Sequence, residues 1–403
     1  MKYVAIKDIV HSVSQTHKFE KDHLKAVNTS DVLGGVLFDV PYSETALLKG
    51  QFKKTIRFND ILFSEIRPAN RRFARVNIKE TADYVVSTKL MVLRKFNDSV
   101  DLDYFYYCLT NQSFLETLQR RAENRIGSFP QITFDLLGEY KFPIPTLDEQ
   151  KRIASVIANI DSKINVNREI NRNLEAMARQ LYDYWFVQFD FPDENGRPYK
   201  TSGGKMVWNE KLKRDIPEGW EDRRLDSLAK IFTGKKDVSK VISGPYKFFS
   251  CAPDPIPSNE YIYDGDVILV SGNGSYTGRV MFYSGKVDLY QRTYACSGID
   301  ESNMPFLYCT IKTLFEPYHS GGKHGSSIPY IVLEDLAGFR FAYHKETVEK
   351  FVDLINPVFY KFIFKEDDEN TLLVNTRDNL LPLLMNGQVS VMPPEVNCDL
   401  SRD

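Results

Sequence analysis

The chain has 403 residues, enough for two to three domains of ordinary size, each able to bury its own core. Acidic residues number 54 and basic residues 52, so the net charge is −2, which excludes a histone-like cationic protein and an acidic disordered tail. No apolar run approaches the roughly eighteen residues of a membrane span. Met1–Gln15 lacks the apolar run and small-residue cleavage site of an export signal. Five scattered cysteines without a CxxC spacing read as reduced, mostly structural thiols, so the expected location is the cytoplasm. A near-neutral total leaves nucleic-acid binding open, because only local patches need be basic.

In chain order, residues 1–145 hold short strand-like runs such as Asp60–Ser64 and Tyr84–Leu93, broken by Gly, Asn and Pro. Residues 148–184 read as one helix within the segment 146–190. Ile153, Ile157, Ile160 and Ile164 are followed, after a polar gap, by Ile170, Leu174, Met177 and Leu181, the same helical spacing. Pro143 and Pro145 stop the strand before it, and Asp148 and Glu149 suit a helix N-terminus. Such a rod would be about 55 Å long at 1.5 Å per residue. Residues 191–220, dense in Pro and Gly, form an ordered but irregular connector. A second mixed part spans 221–343, a second helix (about 345–385) lies within 344–387, and a tail covers 388–403; Pro357 should kink this helix. Each helix has an apolar stripe that needs a partner, either the other helix in an antiparallel pair or its own globular part.

The end of the chain overlays its middle. At a shift of 199, Pro130 meets Pro329, Ile132 meets Ile331, Phe142 meets Phe341, Ile164 meets Ile363 and Leu181 meets Leu380, without a gap. Earlier, Asp60-Ile61-Leu62 resembles Asp266-Val267-Ile268 at a shift of 206. The expected fold class is therefore α+β: two similar mixed α/β domains separated by two long helices packed as an antiparallel coiled coil, a pseudo-two-fold internal repeat.

Several catalytic readings lack their residues. The loop Ser271–Gly278 has glycines at GxGxxxG spacing, one residue off the dinucleotide fingerprint, and no helical pattern opens after it. Pro393-Pro394 precedes Glu395 rather than completing a base-methyltransferase tetrad. Pro192-Asp193 and Pro253-Asp254 have no acidic-x-Lys partner for a metal nuclease. Gly203-Gly204-Lys205 is not a phosphate-binding loop, and the six histidines and five cysteines show no zinc spacing. What remains is local basic density. Residues 51–75 contain seven basic and two acidic residues, among them Lys53, Lys54, Arg67, Arg71, Arg72 and Arg75, with Asn70 between. Arg125 lies just before Ser128. Residues 230–250 hold five lysines, including Lys235 and Lys236, against one aspartate. Near them in sequence are Ser271, Asn273, Ser275, Tyr276, Arg279, Arg292, Lys323, His324 and Ser326. Arg and Lys neutralise phosphates, while Arg, Asn and Gln pair bidentately with guanine or adenine edges, so such loops on two similar domains suit DNA with two half-sites. A solvated charged face, on a purely structural coiled-coil adaptor, is the alternative.

From residue 143 the text is PIPTLDEQKRIASVIANIDSKINVNREINRNLEAMARQLYDYWFVQFDFPDENGRPYKTSGGKMV, followed by IPEGWE at 216–221, and the chain nears its end with TRDNLLPLLMNGQVSV (376–391). These stretches closely resemble the central region and the second helix of specificity (S) subunits of Type I restriction–modification systems. The family order is target-recognition domain, long helix, target-recognition domain, long helix. In the second unit Ala342–Glu349 stands where Pro143, Pro145 and Leu147–Gln150 would be, which leaves the start of that helix open. The resemblance implies a non-catalytic subunit that reads bipartite double-stranded DNA and is not membrane-bound. It further implies two methyltransferase (M) subunits that bring S-adenosylmethionine, and restriction (R) subunits that use ATP and Mg, so this chain itself needs no cofactor. It places recognition loops at Ser64–Arg75 and Ser271–Arg279, and at Arg125–Ser128 and Lys323–Ser326 before the Pro-containing strands.

Overall fold

Ile61, Leu62 and Phe63 are all buried, yet Ile61 and Phe63 pack with Met91 and Leu93 while Leu62 packs with Val27, Val86 and Val92. Successive side chains of a strand face opposite ways, so a continuous apolar run marks a strand covered on both faces. The computed structural model in which these positions are seen describes residues 2–13, 15–48, 50–123, 131–321, 328–363 and 365–391. The chain divides into two units, Met1–Ile164 with Thr371–Asp403, and Asn165–Asn370.

In the first unit the central sheet runs Val10–Ser12, Leu90–Lys95, Ile61–Ser64, Phe73–Arg75, antiparallel throughout. A second sheet runs Tyr42–Glu44, His23–Val27, Tyr84–Ser87, Phe52–Lys54. Lys2–Ala5 pairs with Lys141–Ile144, and the Ile6 N–H then donates to the Tyr140 carbonyl (2.9 Å).

The second unit repeats this plan. Its sheet begins Ala229–Thr233, Thr293–Gly298, Tyr263–Ser271, Val280–Leu289, the same four positions in the same order, and adds Tyr246–Phe249 and Ile256–Ser258 at one edge. Glu221–Arg224 pairs with Arg340–Tyr343, and the Leu225 N–H donates to the Phe339 carbonyl (2.8 Å). The duplication read from the sequence is thus a duplication of topology, but its front register differs by one. Phe63 opposes Phe73 as Val270 opposes Val280, which equates Ile61 with Ile268, a shift of 207 rather than 206. A triplet match of one acidic and two apolar residues cannot fix a register; the hydrogen-bond ladder does.

One helix runs Leu147–Tyr182 and continues as a π-turn over Asp183–Val187. A capping box starts it: the Thr146 N–H donates to Glu149 Oε2 (3.0 Å), and the Glu149 N–H to Thr146 Oγ1 (3.4 Å). The second helical stretch comprises Lys345–Ile363 and Lys365–Met385. Pro357, expected to kink this stretch, lies inside Lys345–Ile363 without ending it; the two segments meet at position 364, outside the described residues.

Within the first unit, Ile153 and Ile157 share a core with Leu381 and Leu384, and Arg377 donates to Asp161 (2.8 Å). Within the second, the Asn167 amide reaches Glu369 (3.0 Å) and Asn370 (3.2 Å), and Tyr182 packs on Phe351. In each unit residue numbers rise along one helix as they fall along the other, so the pairing is antiparallel. The same stripes also pack on globular residues, Ile157 in the core of Tyr104 and Phe105, Tyr182 in that of Phe306, so the two sequence alternatives hold together. The connector is ordered: a hairpin joins Met206–Asn209 to Arg214–Pro217, and Asp190 accepts from the Thr201 N–H (2.7 Å) and hydroxyl (2.6 Å). No described helix is long and apolar enough to cross a membrane.

Candidate nucleic-acid interface

The strand Ile61–Ser64 ends in a turn whose mouth is closed by the Ser64 N–H donating to the Arg72 carbonyl (2.8 Å). The turn leans on the segment after Pro130: Ile66 bridges Gln131, and the Ile132 N–H donates to the Glu65 carbonyl (2.7 Å). In the second unit the Ser271 N–H donates to the Arg279 carbonyl (3.0 Å), Asn273 bridges Tyr330, and the Ile331 N–H donates to the Gly272 carbonyl (2.9 Å). One backbone frame therefore recurs at a shift of 207 in the turn and 199 in its support.

The side chains on the two frames differ in use. In the first unit the Arg71 guanidinium donates to Gln112 Oε1 (2.9 Å) and lies 5.8 Å over the Phe73 ring; burial pulls its pKa down. Arg72 donates to the Ser30 and Val32 carbonyls (3.2 and 3.3 Å). Arg75 holds Asn59 (2.8 Å) and pairs with Asp103. Lys54 donates to the Leu90 carbonyl (2.7 Å), with burial likewise lowering its pKa. These four cations brace the turn and its sheet. Lys53, Arg67 and Asn70 are exposed.

In the second unit Ser271 is buried at the strand end, Asn273 is half-buried, and Ser275 is exposed. Tyr276 is 46% exposed, with the Arg279 guanidinium 5.7 Å from its ring. Arg279 Nη1 is buried without a hydrogen-bond partner, a donor still to be satisfied. Lys235 and Arg292 are exposed, whereas Lys236 is tied to Glu260 (2.8 Å) and the buried Asp288 (2.9 Å), which together raise its pKa. Arg125, Ser128, Lys323, His324 and Ser326 lie outside the described residues. Among the described residues, no cluster of three or more His, Cys, Asp and Glu side chains is placed to hold a metal.

A family model for the Type I restriction modification DNA specificity domain matches residues 1–176. The match covers less than half of the chain. The specificity subunit of the Type I restriction enzyme HindI from Haemophilus influenzae is 37% identical over 190 residues, which cover 47% of this chain and 41% of that subunit. The match thus spans less than half the length of that relative. The MjaIX specificity subunit from Methanocaldococcus jannaschii is 24% identical over 322 residues, 73% of this chain and 70% of that one. The S subunit of a Type I restriction–modification system from M. genitalium is 18% identical, covers 95% of this chain and 96% of its own, and gives a TM-score of 0.47.

Sequence reasoning missed the buttress of the first turn. Gln119 Oε1 accepts the Ala69 N–H (3.2 Å), and Gln112 accepts Arg71; both glutamines lie on the helix Gln112–Glu123. Nothing in the sequence couples a glutamine to a turn about fifty residues earlier, and only the fold brings them together.

Proposed function

We propose that this chain is the DNA-recognition subunit of a Type I restriction–modification complex, each unit reading one half of a bipartite double-stranded target. The observation that carries the reading is the recurring frame: two units of the same topology, each presenting a braced turn with outward polar and basic residues such as Arg67, Asn70, Ser275 and Tyr276. A rigid turn presents side chains to base edges with little ordering entropy left to lose. In this reading two methyltransferase (M) subunits dock on the chain and bring S-adenosylmethionine. Restriction (R) subunits supply ATP- and Mg-dependent cleavage, and the chain itself is non-catalytic.

The test is replacement of residues 221–343 by the corresponding segment of another family member, followed by mapping of methylated sites in a host that expresses the M–S complex. One half of the target should change and the other stay. Change in both halves, or no sequence preference in a mobility-shift assay of the complex, overturns the reading.

A further inference from the structure

We propose that Arg279 is a specificity-determining residue whose guanidinium reads a guanine edge in the half-site of the second unit, and that Tyr276 is the positioning residue that holds it; the proposal rests on the DNA-reading role above. The two turns correspond position by position. At the shift of 207, Ser64 and Arg72, which close the first turn, match Ser271 and Arg279, which close the second. The left-handed residues match as well, Arg67 (φ 46°) with Gly274 (φ 82°) and Arg71 (φ 54°) with Gly278 (φ 83°). Each turn is thus closed by an arginine set on the same backbone.

The two arginines are used differently. Arg72 Nη1 donates to the Ser30 and Val32 carbonyls (3.2 and 3.3 Å), so that nitrogen is spent inside the fold. Arg279 Nη1 is shut off from water and has no hydrogen-bond partner. The contact that holds Arg279 is the Tyr276 ring, 5.7 Å from the guanidinium carbon, where the first unit has Ala69. A ring attracts the charge but offers no lone pair to the N–H groups. A buried donor without an acceptor leaves its desolvation uncompensated, and native folds keep few such groups. The backbone beneath it is fixed. The Arg279 N–H donates to the Tyr276 carbonyl (3.0 Å), the Gly278 N–H to that of Ser271 (2.8 Å), and the Thr277 hydroxyl to that of Pro329 (2.9 Å). Tyr276 is the exposed member of the pair and Arg279 the half-buried one. An acceptor that displaces the ring therefore meets a donor already stripped of water and set on a rigid base. Phosphates ask chiefly for charge, which exposed Lys235 and Arg292 supply; a dehydrated planar fork is selective for geometry and matches O6 and N7 of guanine in the major groove.

The experiment uses the intact M–S complex with wild-type, Arg279→Met, Arg279→Lys, Tyr276→Phe and Tyr276→Ala chains. Binding is measured on cognate duplexes in which each guanine in turn is replaced by 7-deazaguanine, which lacks the N7 acceptor. Wild type should lose about tenfold in affinity at one guanine of the second half-site, and both Arg279 variants should no longer distinguish that duplex from the parent. Tyr276→Phe keeps the ring and should keep the discrimination, whereas Tyr276→Ala should lose most of it. Thermal unfolding gives a second readout. Arg279→Met removes an unpaired donor and should melt no lower than wild type, while Arg72→Met leaves two carbonyls unmet and should melt lower. The proposal is overturned by Arg279 variants that retain full discrimination, by variants that weaken all duplexes equally as a phosphate contact would, or by a second half-site insensitive to every 7-deazaguanine. Arg279→Met melting as low as Arg72→Met also overturns it, since the guanidinium would then be spent inside the fold. Tyr276→Phe as damaged as Tyr276→Ala removes the positioning role. A wild-type complex with no sequence preference in that half at all would sink the DNA-reading role itself.

Discussion

Asp60 is the point at which the first unit's strand Ile61–Ser64 is pinned, and its removal should loosen that strand selectively. Its side chain is 2% exposed and accepts both guanidinium nitrogens of Arg94, Nε at 2.8 Å and Nη2 at 2.7 Å, as well as the Arg57 N–H at 2.7 Å. Breaking a buried ion pair by deleting one partner costs about 3–5 kcal/mol, because the other charge stays behind uncompensated. Arg94 is 20% exposed, so water relieves it in part and Asp60→Ala should fall near 3 kcal/mol, the low end of that range. Arg94→Met strands the deeper charge and should cost more. A double variant, Asp60→Leu with Arg94→Met, should cost less than either alone, since neither charge remains. All three tryptophans lie in the second unit, so fluorescence would report the wrong half. Hydrogen exchange resolves the two halves: a loss of about 3 kcal/mol speeds exchange in Ile61–Ser64 by about a hundredfold, with Tyr263–Ser271 unchanged. Acceleration below about threefold in both single variants, or a double variant as damaged as their sum, would refute the reasoning.

Three further outcomes are expected. Gly278→Ala should destabilise the second unit by about 2 kcal/mol or more, because φ is +83° and a Cβ would stand 2.4 Å from the His319 carbonyl; thermal unfolding checks it, and discrimination in the second half-site should fall with it. Burial pushes the Cys296 thiol up to about 12, and those of Cys108 and Cys309 higher still, so all three should resist alkylation until the protein unfolds, as peptide mass mapping would show. The Thr201 hydroxyl, with the Thr201 N–H behind it, holds the Asp190 carboxyl below its usual range. A lowered folded value gives stability that is complete above the unfolded value and lost as pH falls through the folded one. The acid-side fall of the melting temperature should therefore be shallower in Asp190→Asn than in wild type.

What could be read from the sequence was periodicity. The spacing of Ile153, Ile157, Ile160 and Ile164 declares a helix, and the gapless overlay of 130–181 on 329–380 declares a repeat, because both are patterns in the chain's own order. The uses of the arginines were not readable. Arg71, Arg72 and Arg75 look alike in a basic stretch, yet they brace the fold through Gln112, Ser30, Val32, Asn59 and Asp103, partners set by tertiary contact alone. The left-handed turn was hidden for a related reason. Glycines at 274 and 278 signal such a backbone, but arginine at 67 and 71 does not. The helix following Ala342 starts at Lys345 without the Pro143, Pro145 and Thr146–Glu149 signals that open the first, so its start was not legible although the rest overlays the first helix.

The recurring frame also explains how two units diverge in their turns while keeping one fold. Its closures are backbone to backbone: Ser64 to Arg72 and Ile132 to Glu65 in one unit, Ser271 to Arg279 and Ile331 to Gly272 in the other. Such bonds ask nothing of the side chains at those positions beyond tolerance of the φ and ψ required. The apolar demand falls instead on the strands beneath, Ile61–Phe63 and Ile268–Val270, which are buried in both units. Stability is thus drawn from one set of residues and surface chemistry from another. Exposed Ala69 stands where exposed Tyr276 stands in the second unit, and the ladder below them is the same. A turn whose outward residues change at small cost to the sheet is what the proposed reading of two half-sites with one architecture requires.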